Sequence, residues 1–249
     1  MKEIDWANLS FGYMRTDYNV RINFRNGKWG ELEVSSEEYL NLHMAATCLH
    51  YGQEAFEGLK AFRGKDGKVR IFRLEENAAR LQSTCQGILM AELPTERFKE
   101  AILKVVKLNE RFIPPYETGA SLYIRPLLIG TSAQVGVHPA DEYMFVVFVT
   151  PVGPYFKGGF STNPYVIIRE FDRAAPHGTG IYKVGGNYAA VFVPTRKHMT
   201  WGTLASSISM QKKRNISMNV VLPISSVLKI IRISRRNQLL SCLLSLIRA

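Results

Sequence analysis

Apolar and polar residues alternate along Tyr18-Asn-Val-Arg-Ile-Asn-Phe24, and Asn26-Gly27 follows as a turn signal, so residues 12–35 read as strand and turn. Ala61-Phe-Arg63, the turn Gly64-Lys-Asp-Gly67 and Val69-Arg-Ile-Phe72 predict a β-hairpin. The period then changes. Leu74, Ala78, Leu81 and Cys85 share one face of a helix predicted over Leu74–Leu89. Pro94-Thr-Glu96 opens a second helix, running through Ala101, Val105 and Leu108 to about Arg111. Ser121-Leu-Tyr-Ile-Arg125 and Tyr143–Thr150 predict two more strands, the second apolar enough to be buried on both faces. The run from Pro151 to Gly159 is dense in glycine and proline, as a linker is. Tyr165-Val-Ile-Ile168 starts a new strand, and Tyr188 to about Lys197 has helical spacing. These elements divide the chain into an α/β domain over 1–152, a linker over 153–162 and the start of a second domain over 163–197.

At 249 residues and 46% hydrophobic content, the chain is long and apolar enough to bury a sizeable core. No run reaches the roughly 18 apolar residues of a membrane span, and Cys48, Cys85 and Cys242 lack metal or redox spacing. A soluble, cytoplasmic protein is the expectation. The net charge of +11 invites a nucleic-acid reading, but the excess is local. Residues 198–249 hold 8 Lys+Arg and no Asp or Glu, leaving 24 basic against 21 acidic residues in 1–197. The body of the chain carries an ordinary charge.

The stretch His177-Gly-Thr-Gly-Ile-Tyr-Lys183-Val-Gly-Gly-Asn-Tyr188 sets a lysine between two glycine pairs. Glycines let backbone pass close to a ligand. A lysine held in such a place loses hydration, which favours the neutral amine that attacks an aldehyde. A lone lysine of this kind is most often a solvated loop residue, and a phosphate-cradling GxxxxGK[ST] loop does not fit, because Val184 follows the lysine.

Five segments in order decide between these readings: Tyr51-Gly-Gln-Glu-Ala-Phe-Glu-Gly-Leu-Lys-Ala-Phe62, Phe72–Arg80, Ser121–Pro126, Pro151-Val-Gly-Pro-Tyr155 and Gly178–Tyr188. Together they resemble the branched-chain amino acid aminotransferases over about residues 1–197. The resemblance implies a two-domain α/β (α+β) enzyme of fold type IV that depends on pyridoxal 5'-phosphate. It implies that Lys183 is the covalent seat of the cofactor's aldehyde and the base that moves the substrate proton. Arg80 would grip the cofactor phosphate through its fork of donors, and Tyr188 would hydrogen-bond the cofactor. For the substrate it implies an apolar wall at Phe56 and Tyr51, with Tyr155 on a covering loop. Tyr123 and Arg125 lie two apart on a strand and so share a face, offering a hydroxyl and a cation to the distal carboxylate of glutamate or 2-oxoglutarate. Family members are homodimers, so Tyr51 is a candidate for the neighbouring subunit's site. Two other readings stay open: a D-amino-acid aminotransferase or aminodeoxychorismate lyase, and a non-enzymatic relic.

The resemblance stops near Lys197, before the family's glutamate for the cofactor's ring nitrogen. The tail over 198–249 is read as out of frame, with one base missing after the Lys197 codon. Single-codon residues fix parts of the restored frame: Met199-Thr200 gives Asp, Trp201-Gly202 gives Gly, Met210-Gln211 gives Ala and Met218-Asn219 gives Glu. With chosen third bases, that Glu continues as Cys-Gly-Ala-Ala-Asn-Phe-Phe-Gly, which resembles the missing family motif. The rival is a genuine basic tail for nucleic acid or an anionic surface. On the out-of-frame reading, the strand from 165 lacks native partners, and the chain as written binds cofactor poorly.

Overall fold

The structure, a computed structural model, describes residues 4–154, 165–168, 172, 174–175, 177–192, 205–212 and 215–220. β1 (Asn19–Arg25) and β2 (Lys28–Ser35) form the first hairpin. Its turn residues Asn26 and Gly27 both take positive φ, 53° and 75°, the backbone that matches strand twist in a two-residue turn. α1 (Thr47–Tyr51) and β3 (Glu54–Phe56) are short elements that periodicity could not detect. β4 (Leu59–Arg63) and β5 (Val69–Ile71) make the hairpin expected around Gly64–Gly67. α2 (Leu74–Gly87) and α3 (Thr95–Leu108) follow. Glu75 and Glu76 in the first turn of α2 oppose the positive end of its dipole. A 3-10 turn over Glu110–Phe112 ends the predicted second helix early.

β6 (Ser121–Gly130) and β7 (Tyr143–Val152) are the two long central strands. Pro151 and Val152, read from sequence as the start of a linker, extend β7 instead. The sheet runs β2-β1-β7-β6-β4-β5, with β3 also on β6, and every pairing is antiparallel. The carbonyl of Pro126, inside β6, accepts from the Glu57 N–H at 2.9 Å, which ties the β3–β4 link to the centre of the sheet.

The two faces of this sheet differ. Val20, Ile22, Leu122, Ile124, Leu128, Phe145, Val147 and Val149 are buried together with Leu81 and Cys85 of α2 and with Phe98, Ala101, Ile102 and Val105 of α3. Each large side chain buried there contributes about 1.5–3 kcal/mol. Asn109 at the end of α3 is fully buried, yet its amide is satisfied: Oδ1 accepts from Asp17 N and Tyr18 N, and Nδ2 donates to Tyr18 O and Val105 O. Tyr123, Arg125 and Leu127 alternate onto the opposite, half-buried face. On β7, Met144 and Phe148 are likewise only half-buried, so that strand is not dry on both sides.

β8 (Tyr165–Ile168) pairs in parallel with β9 (Ala205–Lys212), which pairs antiparallel with β10 (Asn215–Val220). The strand expected to lack native partners is thus paired by residues of the tail. A strand's N–H and C=O groups need partners whatever the side chains are, and the tail supplies them. Between β8 and β9 comes α4, a turn of helix over Gly186–Ala189 that includes the start of the helix read from Tyr188 onward. Residues 193–197 of that predicted helix, and Tyr155 with the rest of the linker from 155, lie outside the described residues. No helix among the described residues is long and apolar enough to cross a membrane.

Candidate active site

Lys183 sits on the half-buried face, where its loop meets β3 and α2. Its backbone carbonyl accepts from Phe56 N at 3.1 Å. Its N–H donates to Thr84 Oγ1 at 3.1 Å. The loop is braced from inside by Asn187, only 6% exposed, whose amide bonds Thr179 and the carbonyl of Tyr182. Gly180 has a steric reason: a Cβ there would collide with the backbone of Ala174 and Ala175.

The Lys183 amine donates to Tyr188 Oη at 2.9 Å and lies 4.4 Å from the centre of the Phe56 ring. The Tyr188 ring meets Phe56 edge-on, centroids 5.1 Å apart. The Arg125 guanidinium is 4.9 Å from the same Phe56 ring, so two cations approach one aromatic. Arg125 also donates through Nε and Nη2 to Tyr123 Oη at 3.2 and 2.9 Å. Close approach is built in here too: a Cβ on Gly58 would lie 2.5 Å from that hydroxyl. Among the described residues no carboxylate lies within 4.0 Å of either the Lys183 amine or the Arg125 guanidinium.

Arg80 projects from α2 but spends its fork on protein. Nε and Nη2 donate to the two oxygens of Glu57, both at 2.7 Å, and Asn77 Nδ2 adds a third donor at 2.8 Å. Glu57 is fully buried, while the Arg80 side chain is 47% exposed. The bond to Glu57 holds the guanidinium above its usual range, and Tyr188 adds to that effect. Glu54 on β3 is a second acid that the sequence reading did not single out. Its carboxylate accepts from Gly185 N. Burial pushes its carboxyl up, against the pull of Gly185 and Arg125.

Of the residues singled out from sequence, the fold brings Lys183, Tyr188, Phe56, Tyr123 and Arg125 into one group, with Arg80 beside it. Tyr51 stands apart: its hydroxyl bonds the carbonyl of Val135 and its ring faces His50. Glu57, Thr84 and Glu54 were missed, and the only sequence signal for them was proximity to Phe56 and Arg80. No group of three His, Cys, Asp or Glu among the described residues is placed to hold a metal ion.

An amine, a phenol, an aromatic wall and a guanidinium thus meet in one place. Solved structures with a similar fold include branched-chain amino acid aminotransferases. That of Escherichia coli has TM-score 0.60 and 22% identity, over 78% of this chain and 60% of that one. A T.th. enzyme with pyridoxamine 5'-phosphate has TM-score 0.58 and 23% identity, over 76% and 59%. Curated relatives carry the same name: 48% identity over 203 residues to the Haemophilus influenzae protein, which is 82% of this chain and 59% of that protein. The Helicobacter pylori protein is 49% identical over 191 residues, 76% and 56%. Over the aligned residues the chain is similar to the branched-chain amino acid aminotransferases, and its fold is the fold-type-IV architecture. It spans a little over half the length of these relatives. No family model matches the sequence.

Proposed function

We propose that this chain serves pyridoxal-phosphate-dependent transfer of an amino group from leucine, isoleucine or valine to 2-oxoglutarate. The observation that carries the reading is the Lys183 amine, bonded to Tyr188, over the Phe56 ring that Arg125 also approaches. The residues present suit the cofactor: an amine for its aldehyde, a phenol for its ring oxygen, and the outer N–H groups of Arg80 for its phosphate. When bound, pyridoxal 5'-phosphate supplies the aldehyde and an electron-withdrawing ring.

Lys183 then takes up and returns the substrate proton at Nζ. The Tyr188 hydroxyl fixes the direction of that amine. Phe56 keeps water from it and offers apolar surface to a branched side chain. Arg125, with Tyr123 Oη held against it, is free to bind the distal carboxylate of glutamate or 2-oxoglutarate. That cation beside an apolar wall favours branched-chain and glutamate substrates over D-alanine or aminodeoxychorismate. Tyr155 is proposed as part of the cover.

The protein is proposed to act as a cytoplasmic homodimer. Met44, Leu49, Val135 and Val137 are 59–85% exposed around Tyr51, and His50 and Tyr51 bond the Met44 and Val135 carbonyls. Exposed apolar groups gathered this way suit a partner surface. The frame change after Lys197 is also proposed. Matches of 203, 191 and 192 residues approximate the 197 that precede the tail. Borohydride reduction with pyridoxal 5'-phosphate, followed by peptide mapping, tests the reading; it predicts the label on Lys183, and label elsewhere refutes it.

A further inference from the structure

The lysine loop is glycine-rich, and such a backbone has many conformations to lose. Groups of the first lobe nevertheless hold it on both sides of Lys183. Thr84 Oγ1 takes the Lys183 N–H, Phe56 N holds the Lys183 carbonyl, and the Glu54 carboxylate takes the Gly185 N–H. Thr84 is only 1% exposed. A Cβ on Gly185 would strike the Glu54 carboxylate, so only glycine lets that acid in.

On the reading of Lys183 as the aldehyde-binding amine, we propose that Thr84 and Glu54 are positioning residues that clamp its loop onto the first lobe and aim the amine. Thr84 follows Arg80 by four residues on α2, so both lie on one helix face. Their Cα atoms are separated by a rise of about 6 Å that a helix cannot vary. One rigid element thus sets the spacing between the anchor of the amine and the cation for a phosphate. β3 acts in the same way: Glu54 and Phe56, two apart on one strand face, hold Gly185 and the Lys183 carbonyl respectively. The clamp is complete within residues 54–185, so it does not depend on the tail.

Hydrogen exchange on the 249-residue chain tests this. Thr84→Val keeps the shape and removes the acceptor, so exchange at the Lys183 N–H rises about fivefold, the factor for one net hydrogen bond. Amides of β6 and β7 stay protected, and Thr84→Ser restores the wild-type rate. Trapping with pyridoxal 5'-phosphate and borohydride gives a second readout. The share of label on Lys183 falls in Thr84→Val and recovers in Thr84→Ser. Wild-type exchange at Lys183 in Thr84→Val overturns the proposal. Should Thr84→Val unfold the sheet, Glu54→Met decides: unchanged exchange at Gly185 overturns the clamp, and faster exchange supports it. Thr84-dependent protection in a wild-type chain that takes no label on Lys183 would support the clamp and sink the functional reading instead.

Discussion

Glu57 and Arg80 form a two-point ion pair whose carboxylate is fully buried and whose guanidinium is half exposed. The fork expected to meet a phosphate is already spent on protein, so what Arg80 can offer a ligand is its remaining, outward N–H groups. A buried charge is tolerated only when paired and hydrogen-bonded, and Asn77 and Gly58 complete the shell of Glu57.

Glu57→Gln puts an amide N–H against a guanidinium and breaks the pair. Urea unfolding should show a loss of about 2–4 kcal/mol, below the full cost of breaking a buried pair because Arg80 keeps water on one side. Glu57→Gln combined with Arg80→Gln should lose less than the sum of the two single variants. Additive losses would mean that the pair carries no coupling.

Arg125→Met removes a cation that has no carboxylate partner among the described residues. In a chain with the frame restored after Lys197, KM for 2-oxoglutarate should rise about 10–100-fold, the scale of one charge-assisted interaction. KM for leucine, which lacks a second carboxylate, should change little. Equal effects on both substrates would move Arg125 out of the proposed role.

Cys85 is fully buried, and desolvation pushes its thiol from 9.0 up to about 12. The folded value is the higher, so the folded state keeps its proton where the unfolded state has lost it. Stability is fully present below about pH 9 and declines as pH rises toward 12, by at most about 1.4 kcal/mol per pH unit from this group. Cys85→Ala should flatten that limb of the stability profile. In the native chain a thiol reagent at pH 8 should modify Cys85 only on unfolding.

Sequencing the coding DNA across codons 196–199 should reveal one missing base. Restoring it turns Met218-Asn219 into a glutamate codon, and the repaired chain should hold pyridoxal 5'-phosphate more tightly, read as an absorbance band that survives dialysis. An intact frame would leave the basic tail, with β9 and β10, as the natural sequence.

Several features could be read from the chain because local rules govern them. Asn26-Gly27 needs positive φ, and Leu74 through Cys85 repeat with the period of a helix. Tyr123 and Arg125 share a face because strands alternate. Lys183 stood out only through the family resemblance of five segments, since its flanking glycines alone fit a solvated loop. Other features depended on segments distant in sequence. Glu57 meets Arg80 from 23 residues away, Thr84 meets Lys183 from 99, and Glu54 meets Gly185 from 131. No period or propensity links such pairs. The pairing of β3 with β6 and the packing of α2 against β3 bring them within hydrogen-bond reach and fix where the reactive groups point.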